Sequence, residues 1–116
     1  MKKNYFLSKN EIDKIIKICY PVSDFNIINT FIQMVTLSDL KNVLDILKNV
    51  SDSNTNLKIN FQYSTLIINK TRVELIIDVL GNRASCVYYD DEFKNVLSDY
   101  IEEYEKMINE EVGLSK

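Results

Sequence analysis

The spacing of apolar residues changes twice along this chain. Through residue 50 they recur every three or four positions. In LKINFQYS, residues 57–64, Leu57, Ile59, Phe61 and Tyr63 alternate strictly with Lys58, Asn60, Gln62 and Ser64. From Phe93 onward the wider spacing returns. Alternation gives an extended chain one wet and one dry face, whereas a repeat of three to four does the same for a helix. Strand-like runs grouped together between helical runs imply an α+β fold. The expectation is about three N-terminal helices, a small antiparallel β-meander of about three strands, and a long amphipathic acidic C-terminal helix. All of it is expected in a single domain spanning 1–116.

LSKNEIDKIIKICY, residues 7–20, has the marks of a first helix. Ser8 and Glu11 suit a capping box, Leu7 and Ile12 a hydrophobic staple, and Ile12, Ile15, Ile16 and Cys19 one apolar stripe. Pro21 ends it by pushing its predecessor out of the helical region. A second helix is expected over about 24–35, capped by Ser23 or Asp24. Its buried stripe is Phe25, Ile28, Phe31 or Ile32, and Val35. Thr36 and Asp39 form the capping box of a third, with Val35 stapled to Leu40 and a stripe through Val43, Leu44, Leu47 and Val50. SDSNTN, residues 51–56, is a polar loop.

After LKINFQYS, TLII (65–68) extends that strand or starts the next, and Asn69-Lys70 suits a turn. RVELIIDVL (72–80) fits both periods, but its shortness, β-branching and strand-like flanks favour a strand. Its second face carries Ile76 and Leu80, which need a cover from helices or from a second copy of the chain. Gly81-Asn82 turns the chain into ASCVYY (84–89). Phe93, Val96, Leu97, Tyr100, Ile101, Tyr104, Met107 and Ile108 then repeat at helical spacing for four turns, with Gly113 as a stop. Asp90, Asp91 and Glu92 lie at its N-terminus, where the helix dipole favours anions.

The chain has no histidine, which removes the commonest general base and metal ligand. Cys19 and Cys86 stand apart in apolar surroundings with no base to activate a thiol, so both read as reduced, small apolar side chains. No catalytic set, cofactor or metal site is expected, and Asp90-Asp91-Glu92 reads as dipole complementation. No apolar run approaches the ~20 residues that cross a bilayer or the ~7–15 of a signal peptide. Cytoplasmic residence is the expectation. Twelve lysines against two arginines, with thirteen asparagines and fifteen isoleucines, match AT-rich coding.

Charge is distributed unevenly. Residues 90–116 carry a net −6 and residues 1–89 a net +3. Lys2, Lys3, Lys9, Lys14 and Lys17 form a basic patch, but the third helix presents Lys41, Asn42, Asp45 and Lys48, a mixed face unsuited to sequence-specific nucleic-acid binding. On the last helix Glu92, Asp99, Glu102, Glu103 and Glu110 are the expected partner-binding face, spanning roughly 27 Å from Glu92 to Glu110. Such a row can occupy a groove built for a phosphate backbone or steer a basic partner. Of Tyr88 and Tyr89, strand alternation turns one inward and leaves the other free for contact. The expected function is that of a small acidic non-enzymatic protein that binds and inhibits or modulates another protein with a basic surface. Its most specific form is a phage-encoded inhibitor of a nucleic-acid-handling defence enzyme, in the manner of anti-CRISPR proteins, a likeness of size and charge only. The alternatives are an immunity protein or antitoxin for a cognate toxin, and a small ligand-binding or accessory subunit.

Overall fold

Residues 7–20 form no helix. They fold as an antiparallel hairpin of β1 (Phe6–Asn10) and β2 (Ile15–Cys19), with Leu7 opposite Ile18 and Asn10 opposite Ile15. The structure, a computed structural model, describes residues 5–49, 56–69 and 71–114, without the side chains at 23, 24 and 110–114. The hairpin turn explains why the capping box fails. Asn10 Oδ1 accepts from the backbone N–H groups of Ile12 and Asp13, and its amide donates to Asp13 Oδ2. That local asparagine turn outcompetes a helical start, and Lys14 completes it at φ 56°. Ile16, Ile18 and Tyr20 alternate inward, while Ile15 and Lys17 point out and Ile12, the expected staple, is 93% exposed. Three β-branched isoleucines in four residues suit a pleated strand better than a helix.

Beyond the hairpin a 3₁₀ turn (Ser23–Asn26) leads into α1 (Ile27–Met34), and α2 spans Leu37–Asn49. The side chains of Ser23 and Asp24, the expected caps, lie outside the described residues. α1 and its leading turn complete β2. Asn26 Oδ1 accepts from Tyr20 N–H at 2.8 Å, Asn29 Oδ1 accepts from Ile18 N–H at 2.9 Å, and Gln33 Nε2 donates to Ile16 C=O at 2.9 Å. Asn26 also returns a bond to Tyr20 C=O. Three amide side chains spaced along one helical face thus replace a neighbouring strand. Before α2 the expected capping box forms: Thr36 Oγ1 accepts from Asp39 N–H at 3.1 Å, and Asp39 Oδ2 accepts from Thr36 N–H at 3.3 Å. Of the expected loop 51–56 and turn 69–70, residues 51–55 and Lys70 lie outside the described residues, as does Val50.

The second sheet has four strands, one more than the expected meander: β3 (Leu57–Asn60), β4 (Ser64–Ile68), β5 (Arg72–Val79) and β6 (Asn82–Tyr89), all antiparallel in chain order. LKINFQYS is broken rather than continuous. Phe61 N–H bonds to Ser64 C=O at 2.8 Å and turns the chain, while the Phe61 ring packs edge-on against Phe31 at 5.5 Å. The β5–β6 turn is Leu80-Gly81, one residue earlier than Gly81-Asn82. Both residues take positive φ (52° and 81°), the primed geometry that matches strand twist. Leu80, expected to need a cover, is therefore a 94% exposed turn residue.

α1 and α3 (Asp90–Leu114) pack on one face of this sheet, against Leu66, Ile68, Val73, Leu75 and Tyr88, and α2 lies along α3. The opposite face bears Ile67, Glu74, Ile76, Val87 and Tyr89, and no described element covers it. On α3 the stripe Phe93, Val96, Leu97, Tyr100, Ile101 and Met107 is buried, whereas Ile108 stays partly exposed. No described helix is long and apolar enough to cross a membrane.

The amide bridge makes a direct prediction. Asn29→Ala strands the Ile18 N–H, which is expected to cost about 1–3 kcal/mol. Urea unfolding should show a lower midpoint at unchanged slope; an unaltered midpoint would mean that β2 does not depend on α1.

Candidate functional site

α3 turns one line of its carboxylates toward the hairpin. Glu92, Asp99 and Glu103, at i, i+7 and i+11, share one helical face. Tyr20 Oη donates to Glu92 Oε1 at 3.4 Å, Tyr5 Oη donates to Asp99 Oδ2 at 2.5 Å, and Lys9 pairs with Glu103. Two of the five carboxylates expected to meet a partner, Asp99 and Glu103, therefore hold the hairpin against the helix, while Glu92 takes only a long bond from Tyr20. The sequence could not show this once β1 and β2 were read as a helix. Lys9, the leading cause, holds the Glu103 carboxyl below the usual range.

The other carboxylates differ in their engagements. Glu102 points to solvent with Lys106 at 3.3 Å, and Glu105 meets Lys41 of α2 at 3.5 Å. Both pairs are exposed and contribute little, about 0–1 kcal/mol each. Asp91 and, more distantly, Asp90 reach Lys94. The side chain of Glu110 lies outside the described residues. Glu92 is distinct: it is half-buried, and among the described residues it makes no ion pair.

Glu92 stands in a cavity of about 410 Å³ lined by Tyr5, Phe6, Tyr20, Pro21, Val22 and Phe25. That volume lies within the range of about 300–1,000 Å³ common for ligand sites. Tyr5 and Tyr20 are 8% exposed, while Phe6 and Val22 are 62% and 54% exposed. The hairpin and the segments flanking it supply the lining, and α3 supplies Glu92. Tyr5 precedes β1, Phe6 opens it opposite Cys19, and Tyr20 leaves β2 into Pro21 and the 3₁₀ turn. The Tyr20–Phe25 stacking and the Asn26 bonds to Tyr20 hold this lining in place, and reading residues 7–20 as a helix gives no sign of either.

Rings continue from the cavity into the core. Tyr5, Tyr20, Phe25, Tyr88, Phe93, Phe31 and Phe61 form an unbroken file with successive centroids 5.5–6.4 Å apart. Tyr88 is the inward tyrosine of the 88–89 pair, and its hydroxyl donates to Phe25 C=O. Tyr89 is 67% exposed on the uncovered sheet face, and the structure does not bring it to the cavity. Comparison with protein-family models, with curated proteins and with solved structures found no match.

Burial raises the phenols of Tyr5, Tyr20, Tyr88 and Tyr100, and the facing carboxylates push Tyr5 and Tyr20 up further. The neutral phenol is thus favoured in the folded state, so its contribution is intact below the ordinary tyrosine value of about 10 and lost as pH rises above it. Stability should fall steeply above about pH 10, with phenolate absorbance from these rings appearing together with loss of ellipticity. Their ionisation in a still-folded protein would contradict the packing described.

Proposed function

We propose that this chain is a non-enzymatic binding protein that inhibits or modulates another protein by occupying a basic surface on it. A nucleic-acid-handling enzyme is the partner class that best matches its charge, since such enzymes present cationic channels. The observation that carries the reading is Glu92, a carboxylate without an ion pair among the described residues, set in an open aromatic cavity. It lies near the start of the segment that holds nine of the chain's seventeen carboxylates. The contact is centred there, because Asp99 and Glu103 already serve the hairpin. Glu102, outward with Lys106, adds to the field that steers a cationic partner toward this end of the molecule.

The test begins with capture of the partner from its native cells and ends with affinities measured across salt concentrations. Binding should weaken as salt rises. Glu92→Gln is expected to cost about 2 kcal/mol, the lower end for breaking a buried charge pair at an interface. Glu102→Gln should cost less than about 1 kcal/mol, as a rim charge does. Affinity indifferent to both salt and Glu92→Gln would end the basic-surface reading. A captured partner that is a toxin encoded beside this chain would replace the enzyme-inhibitor form with the immunity-protein form.

A further inference from the structure

We infer that the Glu92 cavity is a receptor for one arginine side chain of the partner protein, an inference that rests on the binding reading above. The cavity offers two different chemistries to an occupant. Its walls are aromatic: Tyr5 and Tyr20 lie 5.7 Å apart at 41°, and Tyr20 and Phe25 stack at 5.5 Å and 27°. Among the described residues, its one charged lining group is the Glu92 carboxylate, which accepts one long bond there, from Tyr20, and so retains acceptor capacity.

An apolar side chain would satisfy the walls but cover the carboxylate without replacing its water, at the cost of burying an uncompensated charge. An acidic side chain would be repelled by Glu92. A cation on an alkyl stem meets both demands, the stem along Phe6 and Val22 and the charge at Glu92. Arginine fits better than lysine. Its guanidinium is planar, weakly hydrated and able to stack on a ring while donating two parallel bonds to one carboxylate. A lysine ammonium is compact and strongly hydrated, and it loses more on entering a cavity walled by rings. Among the described residues, no lysine or arginine lines the cavity to compete for Glu92.

The test uses the isolated full chain and NMR titration with acetyl-Gly-Arg-Gly-amide. Its citrulline counterpart, equal in shape but neutral, serves as comparison. The arginine peptide should shift the ring signals of Tyr20 and Phe25 and the amide of Glu92, and leave Tyr89 unmoved. The citrulline peptide should bind about tenfold more weakly, a difference of about 1.4 kcal/mol. Glu92→Gln should weaken the arginine peptide to the same level with the rest of the spectrum unchanged. Phe6→Ala, at an exposed rim position, should weaken both peptides. Equal binding of the two peptides, an undiminished affinity for the arginine peptide in Glu92→Gln, or no shift at all would overturn the inference. So would movement of the cavity signals on Lys2→Ser/Lys3→Ser substitution without peptide, which would make the chain's own amines the occupant. Because no partner is present, a failed titration leaves the salt dependence of partner binding to judge the broader reading separately.

Discussion

Three side-chain amides decide the architecture. A strand leaves alternate N–H and C=O groups pointing away from its neighbour, and buried groups of that kind must find partners. β2 has β1 on one side only. On the other side Asn26, Asn29 and Gln33 meet the backbone of Tyr20, Ile18 and Ile16. Without them the hairpin would carry an unsatisfied edge into the interior. With them, Ile16 and Ile18 pass into the core, Tyr5 and Tyr20 come together, and the cavity acquires its walls. The helix α1 is thus as much a hydrogen-bonding surface as a packing element.

The acidic helix takes a different meaning in that setting. Its carboxylates are neither uniformly solvated nor uniformly free. One line of them, Glu92, Asp99 and Glu103, forms the seam with the hairpin through two phenols and an ammonium. Phenols kept neutral by burial are suited to this, because they donate to a carboxylate without contributing a charge that must itself be desolvated. At the Glu92 end the seam opens, and among the described residues the negative group there faces rings and no lysine. On the proposed reading, charge concentrated on the segment and an opening at its beginning together give a cationic partner its direction of approach.

Much of the fold was legible in the sequence from capping residues, apolar period and, for residues 72–80, which fit both periods, from shortness, β-branching and strand-like flanks. The α2 capping box at Thr36 and Asp39, the stripe from Phe93 to Met107 and the strand at 72–79 all rest on local signals that no tertiary contact opposes. The first hairpin was not legible in the same way. Ile12, Ile15, Ile16 and Cys19 satisfy a helical repeat, yet Ile16, Ile18 and Tyr20 satisfy an extended one, and only the amides of a later helix decide between them. The broken strand at Phe61 has a similar origin, since the ring leaves the strand path to meet Phe31. The candidate site was partly legible: Glu92 was one of five carboxylates expected on a partner-binding face, but the rings around it are brought together by a hairpin that was expected to be a helix. Asp99 and Glu103 were expected on a solvent-side face that meets a partner, and instead they meet Tyr5 and Lys9 at the hairpin.

The claim that the Glu92 cavity is where a basic partner meets this chain can be tested by placing a photo-crosslinking phenylalanine analogue at Phe6, on the exposed rim. Irradiation in native extract followed by sequencing of the attached peptide reports what lies over the cavity. The account predicts one partner, joined through a segment that contains arginine. Crosslinks to a segment without basic residues, or none from position 6 while the same analogue at Tyr89 reacts, would contradict it and move the contact to the uncovered face of the sheet.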